Sequence, residues 1–326
     1  MTLVNNIKAR LIDTPNGDLK VVNAARVSFA KENKTLSDGD EGLIRYLATH
    51  KHWTPFSHCR ETFAFKIKTA EDELSLLRFF ALKMTQEDMA SGVLAQRENV
   101  LYVRHSLYGW ANILNRYEQN PTELSIDDVV NIYQRLCVKY PLSARYLIND
   151  KTHEAFCGFA IRHAEPEPFV DDPHFMDVTM CETVPIFVAR QRFKHMIGTT
   201  YNEVSRRYVA TTPDVYVPDV WRGKHENKKQ GSTDDPSDYM HDDANRGMII
   251  AADIQRVIDQ YDAMIANGVC PEQARLTVPQ GMMTEYYVTA NVSAWDRFIE
   301  QRKDSHAQKE IRDLAHLSEQ ILIDII

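Results

Sequence analysis

No two of the five cysteines in this 326-residue chain (Cys59, Cys137, Cys157, Cys181 and Cys270) are spaced as a CxxC pair. An odd number without motif spacing argues against a disulfide framework and points to reduced thiols in a cytoplasmic compartment. Positive charge is also in deficit: 38 Lys and Arg against 46 Asp and Glu leave a formal charge of −8. That balance argues against nucleic acid as a partner, because a surface that follows phosphates is normally basic. No apolar run reaches the roughly 18 residues of a membrane-spanning helix. The start, Met1 to Asn6, carries neither the basic nor the apolar region of a signal peptide. Internal repeats and low-complexity segments are missing as well. What remains is the composition of a soluble globular protein, 44% hydrophobic and 26% charged, long enough for one large domain or two modest ones.

Against that background one stretch stands out. Arg190 to Tyr208 holds five cations (Arg190, Arg192, Lys194, Arg206, Arg207) together with His195 and Glu203. The apolar run Val184–Ala189 leads directly into it and reads as buried structure. Arginine's planar donor fork suits phosphate and flat polar ligands, so the cluster reads as an anion site. A carboxylate among the cations can orient a hydroxyl or a heterocyclic N–H. A solvated charged helix face would give the same residue types. In an acidic chain, a local basic pocket suits a small anionic ligand drawn in by a focused field.

Periodicity gives the organisation. Residues 7–29 read as a hairpin turning at Pro15-Asn16-Gly17-Asp18, and 40–49 as a helix. Thr62–Lys68 alternates as a half-buried strand. Helices are predicted over Glu71–Met89, with Leu74, Leu77 and Phe80 or Ala81 inward, over Asn99–Tyr117, and from Ser125 onward, where Asp127 and Asp128 suit the helix dipole. Glu165 to Pro173 reads as a proline-rich linker and Met176–Ala189 as a strand. Trp221–Asn245 reads as a mobile polar loop. An amphipathic helix through Ile250, Ile258 and Ile265 ends at Asn267-Gly268. Ser305 with Gln308 forms a capping-box pattern opening a last helix. The apolar end Ile321–Ile326 calls for packing on its own domain or on another subunit.

Four blocks in order carry a resemblance. They are Ala24-Ala25-Arg26-Val27-Ser28-Phe29; His52-Trp53-Thr54-Pro55-Phe56-Ser57-His58; Pro185–Gln191 with Lys194-His195 and Asn202–Tyr208; and Gly268-Val269, Ala274-Arg275, Val278-Pro279, Thr289-Ala290-Asn291 with Arg302–Gln308. Together the blocks resemble the flavin-dependent thymidylate synthases, over roughly residues 1–68 and 178–316. The resemblance implies an α/β (α+β) fold: one catalytic domain over 1–326, mostly antiparallel sheet flanked by helices. A mainly helical insertion at about 70–175 would interrupt it, since no motif falls there.

The implied reaction turns dUMP into dTMP, with methylenetetrahydrofolate as one-carbon donor and NADPH reducing FAD. Nothing in the chain resembles the Pro-Cys-His type motif of synthases that use a cysteine nucleophile. By resemblance, Arg302 faces uracil N3 and favours the ionised ring, since a cation beside an acidic group lowers its pKa. Gln191, Glu203, Ser205, Arg206, Arg207 and Arg275 fall to dUMP, with backbone N–H groups of the Val204–Arg207 turn adding donors. The family often carries another residue at the Arg206 position, which favours Arg207. Ser28, His52, Thr54, Lys194, His195, Glu203, Asn291 and His306 fall to FAD. His50, His52 and His58 with Cys59 complete no recognised zinc spacing, so no metal is expected.

The family implies a homotetramer with no nucleic-acid or membrane partner, in a bacterial cytoplasm or a phage-infected host. Departures mark a divergent branch. The usual Arg-His-Arg, seven residues, then Ser is here Lys194-His195-Met196, eight residues, then Ser205. Ser57 replaces a usual glutamate, and Ser293 and Arg297 replace other flavin-side groups. A hydroxymethyl-transferring relative and an inactive nucleotide-binding relative would share these motifs.

Overall fold

The structure is a computed structural model and describes residues 2–87, 92–117, 124–159, 172–226, 232–241 and 245–325. From the N-terminus, β1 (Lys8–Leu11) precedes α1 (Asp18–Arg26), α2 (Asp40–Thr49), the short α3 (Thr54–Ser57) and β2 (Arg60–Lys66). Next come α4 (Ala70–Glu87), β3 (Val93–Arg97), β4 (Val100–Ser106), α5 (Leu107–Tyr117), α6 (Ile126–Lys139), α7 (Pro141–Leu147) and α8 (Asp150–Phe156). The remainder supplies β5 (Asp177–Pro185), α9 (Ile186–Arg192), β6 (Thr199–Glu203), α10 (Asn245–Ala266), β7 (Met283–Asn291), α11 (Val292–Lys303) and α12 (Lys309–Ile325).

Two antiparallel sheets organise these elements. The larger has the order β1-β5-β7-β6 and the smaller β2-β4-β3. Side chains alternate across a strand, and β5 and β7 use both faces. Val178, Met180, Val184, Tyr286, Val288 and Ala290 pack on α11 and α12 through Trp295, Phe298, Ile311 and Leu314. The opposite face carries Cys181 and Tyr287 with Val27 of the α1 end, and a polar strip of Thr179 and Thr289. This is the mixed, mostly antiparallel fold that the resemblance implies.

Several local expectations give way. The hairpin at 7–29 is a strand and a helix: Lys8–Leu11 pairs with β5, and Asp18–Arg26 is helical. Burial overrides the β-branched pair there, since Val21 and Val22 sit in the core. The 99–117 helix is half strand, because Leu101 and Val103 alternate into the core while Glu98, at φ 52°, turns β3 into β4. On α4 the inward residues are Leu76, Phe79 and Phe80, whereas Leu74 is 51% exposed. The strand from Met176 ends at Pro185, after which Ile186 opens α9.

In the polar region 221–245, Arg222–Lys224 pairs with Ser232–Pro236, held by Arg222 donating to both Glu310 carboxylate oxygens at 2.7 and 2.8 Å. The last helix begins after Gln308 rather than at Ser305: the Gln308 carbonyl accepts from Ile311 and Arg312. Leu322 is buried, while Ile323 is exposed. The helices read at 40–49, after Ser125 and through Ile250 to Ile265 are present, spanning 40–49, 126–139 and 245–266; Ser125 caps α6, and Gly268, at φ 83°, follows α10. The prolines of Glu165–Pro168 lie outside the described residues.

Among the described residues, those of 70–159 form no core of their own. Phe80, Trp110, Val129 and Leu136 share one cluster with Val22, Ile44, Phe56 and Phe63 from the N-terminal part. Polar stitches reinforce it: Trp110 Nε1 donates to the Glu61 carbonyl at 2.9 Å, and Asp18 accepts from Leu142 and Ser143 at the start of α7. Arg60 of β2 and Arg104 of β4 both reach Asp177 at the head of β5, at 3.0 and 2.5 Å, tying the small sheet to the large one. No described helix is long and apolar enough to cross a membrane.

Candidate active site

At the Pro185 end of β5, α9, the end of β6 and the turn before β7 enclose an open cleft of about 480 Å³. Its polar lining is Arg190, Glu203, Ser205, Arg206, Arg275 and Thr284, over a mainly apolar floor that includes Ile186, Phe193, Val278 and Met282. Four residues assigned from sequence to the nucleotide therefore meet in one place. Antiparallel register explains why: Glu203 lies opposite Tyr286 in β7, so the end of β6 faces the start of β7 and Thr284 Oγ1 donates to Glu203 Oε1 at 2.7 Å. Crowding by protein raises the Glu203 pKa, against the Thr284 bond and the nearby Arg275 charge. A carboxylate so placed favours a donor from a ligand.

The turn is fixed from outside. Ser28 Oγ donates to the Glu203 carbonyl at 2.9 Å, and the Ser205 N–H donates to the Ser28 carbonyl at 3.0 Å. Ser28, assigned from sequence to FAD, thus braces the nucleotide-side turn. The Val204 N–H goes to the Glu285 carbonyl and the Arg207 N–H to Ser205 Oγ. The expected set of free backbone donors is therefore largely committed, and anion binding falls to side chains. Of the adjacent arginines, Arg206 lines the cleft, whereas exposed Arg207 pairs with Glu272 at 2.5 Å, reversing the order expected from sequence. Arg190 was not assigned from sequence. It neighbours Gln191 on α9 and is exposed, with Val188 and Ala189 buried behind it.

A second group gathers around α11. Arg302 does not line the cleft; its Nε donates to His195 Nε2 at 2.8 Å. Burial, then the charges of Arg192, Arg302 and Arg297, press the His195 pKa down to about 4, so the ring is neutral near pH 7 and carries its proton on Nδ1. Burial and Arg192 likewise lower Arg302. Lys194 is exposed beside Met196 and Ile197, which are 65% and 76% exposed. Gln191 turns away from the cleft, its amide donating to Gln308 Oε1 at 2.7 Å. Asn291 is buried, and its Oδ1 caps α11 by accepting from Ala294 at 2.8 Å. His306 is exposed and closes a local turn on Asp304 at 2.6 Å.

The third group sits at α3. Thr54 opens that helix, and His52 is exposed beside Tyr46, at 5.7 Å between rings. His58 is buried on the large sheet, bonded to Thr289 Oγ1 at 2.7 Å and Asn202 Oδ1 at 3.2 Å. Among the described residues no three His, Cys, Asp or Glu side chains are grouped to hold a metal.

Cationic, carboxylate and hydroxyl groups around one cleft define an enzyme-type site for a small anionic ligand. A family model described as "Thymidylate synthase complementing protein" matches residues 10–73 and 122–326, leaving out 74–121. The flavin-dependent thymidylate synthase of Aquifex aeolicus is 30% identical over 312 residues, 91% of this chain and 92% of that protein. That of Thermosipho africanus is 32% identical over 157 residues, 48% of this chain and 66% of that protein. A solved structure of a UMP/dUMP methylase, PolB, from Streptomyces cacaoi, bound with 5-Br dUMP, aligns with a TM-score of 0.44 at 20% identity, covering 100% of this chain and 93% of that one. The chain belongs to the family of the flavin-dependent thymidylate synthases.

Proposed function

We propose that the chain methylates dUMP to dTMP, taking its one-carbon unit from methylenetetrahydrofolate and its reducing equivalents from NADPH through FAD. The observation that carries this reading is the cleft in which Glu203, Ser205, Arg206 and Arg275 converge. Arg190, Arg206 and Arg275 give a nucleotide monophosphate three guanidinium groups, and Ser205 a hydroxyl. Glu203, oriented by Thr284, accepts from a ribose hydroxyl or a ring N–H. None of the five cysteines lines this cleft, and burial pushes the Cys59 thiol up to about 11, so no thiolate is poised there.

The residues around α11 fit a flavin. Lys194 supplies an exposed ammonium, His195 an Nδ1–H and Asn291 an amide nitrogen, beside the exposed apolar surface of Met196 and Ile197. Thr54 and His52 add polar groups at α3. Reduced flavin, when bound, supplies the hydride that completes the methyl group. Arg302, its Nε held by His195, offers its terminal amino groups to the uracil ring and stabilises the N3 anion. Arg302 does not line the nucleotide cleft of its own chain, which supports a homotetramer whose sites combine residues from several copies.

The test is product analysis. Purified protein incubated with dUMP, methylenetetrahydrofolate and NADPH should turn over and yield dTMP by mass spectrometry. A product carrying a hydroxymethyl group, or bound dUMP without turnover, would replace this reading with one of the two relatives that share the motifs.

A further inference from the structure

Beneath His195 lies a chain of bonds that the nucleotide and flavin assignments do not use. Arg192, the last residue of α9, is 1% exposed. Its Nε donates to both carboxylate oxygens of buried Glu182 at 3.2 Å. Its guanidinium lies 4.0 Å over the Phe298 ring and 4.7 Å from that of Trp295, both on α11. From there Nη1 donates to the Tyr201 hydroxyl at 2.7 Å. That hydroxyl donates in turn to the His195 carbonyl at 2.8 Å, with the Arg192 carbonyl a second acceptor at 3.0 Å. The His195 ring stands edge-on to Phe298, 5.1 Å between centroids, and accepts from Arg302 Nε.

We infer that Tyr201 and Arg192 are positioning residues for Arg302, acting through the backbone and ring of His195. The inference rests on the assignment of Arg302 to the nucleotide. A buried ion pair is a poor stabilising device, since apolar residues of equal volume often serve as well or better. This pair does not end in the core. Its last link is a carbonyl in the turn between α9 and β6, and that turn carries the imidazole that orients Arg302. Fixing the turn fixes which nitrogen of His195 faces Arg302, and with it the plane of the guanidinium. A fork that must meet a ring nitrogen and its neighbouring carbonyl together loses most of its use if that plane rotates.

A double-mutant cycle on dUMP binding, measured by isothermal titration, tests this. Arg302→Ala should weaken dUMP by at least about tenfold, and Tyr201→Phe, which removes only the hydroxyl, by roughly five- to tenfold. The double variant should bind no more than about twofold worse than Arg302→Ala alone, because Tyr201 would then have nothing left to position. A merely structural role for Tyr201 would instead weaken binding equally in both backgrounds. That result, or undiminished dUMP affinity in Tyr201→Phe, overturns the inference. Unchanged affinity in Arg302→Ala would show instead that the assignment of Arg302 has failed, and the inference with it. If Tyr201→Phe does not fold, Arg192→Lys serves the same cycle, since a lysine cannot serve Glu182 and Tyr201 together in this planar geometry.

Discussion

The role proposed for Arg302 is recognition of a flat, partly anionic ring, which a guanidinium achieves through paired donors rather than through charge alone. Replacing it by alanine should abolish turnover while flavin stays bound, and lysine should recover little. Loss of one charge-assisted contact costs about 1.5–3 kcal/mol, or roughly 10–150-fold, if the contact acts in binding only. A fall in kcat larger than the loss of dUMP affinity would assign the remainder to the transition state. Equal activity in the Arg302→Lys protein would show that charge suffices.

The histidines give a second test at this scale. His58 is buried, and desolvation followed by the Lys20 charge lowers its pKa to about 3, while that of His195 falls to about 4. An unfolded chain binds a proton on each near pH 6.5, so below that pH the unfolded state binds more protons than the folded one. Stability is therefore present above about 6.5 and declines as the pH falls through this window. Thermal midpoints measured between pH 7 and roughly 4.5, above the range of the depressed Asp177 carboxyl, should fall, and His58→Asn should flatten the slope. An unaltered slope would rule out His58 as a contributor.

Among the elements, α1 shows how a charge read as part of a turn serves elsewhere. Asp18 accepts from the backbone of Leu142 at 2.8 Å and Ser143 at 2.9 Å, and from Ser143 Oγ at 2.5 Å, so it caps α7 from a distant part of the chain. Asp18→Ala should cost about 2 kcal/mol, read as a lower urea midpoint with an unchanged slope. A loss below about 0.5 kcal/mol would mean that water replaces the cap.

That contact also marks where sequence reading stops. Pro15-Asn16-Gly17-Asp18 has the composition of a hairpin turn, and nothing local says that Asp18 is needed 124 residues later. Val100–Ser106 likewise becomes a strand because β2 lies beside it, in register from Arg60↔Ser106 to Lys66↔Val100. The cleft was more legible, because Glu203, Ser205 and Arg206 are near neighbours and carry their chemistry as a motif. Arg190 escaped because its role depends on which side of α9 opens to solvent. The turn's backbone donors were overestimated because Ser28, 177 residues before Ser205 in the chain, had already taken up its geometry.

For the whole molecule, the proposed homotetramer, in which the Arg302 group of one copy completes the cleft of another, makes activity depend on assembly. Specific activity should fall on dilution in step with loss of the tetramer by sedimentation, and mixing inactive Arg302→Ala with inactive Arg275→Ala protein should restore part of it. Active monomer, or no recovery on mixing, would place the complete site within one chain. Deleting residues 70–159 should leave unfolded protein rather than a smaller enzyme, given the core they share with α1, α2 and β2.

The large sheet has a consequence for biosynthesis. Its strands come from residues 8–11, 177–185, 199–203 and 283–291, and β7, the last made, lies between β5 and β6. While the chain emerges from the ribosome, β5 and β6 have no neighbour on their inner edges until residue 291 has left the exit tunnel. The first 159 residues, by contrast, already contain the members of their own apolar cluster. Synthesis therefore favours an ordered helical half that waits, with Arg60 and Arg104 lacking Asp177, for a strand delivered late; such long-range closure is slow and leaves unpaired edges open to association. The interval between translating β5 and translating β7 is when nascent neighbours on one message are most apt to pair wrongly.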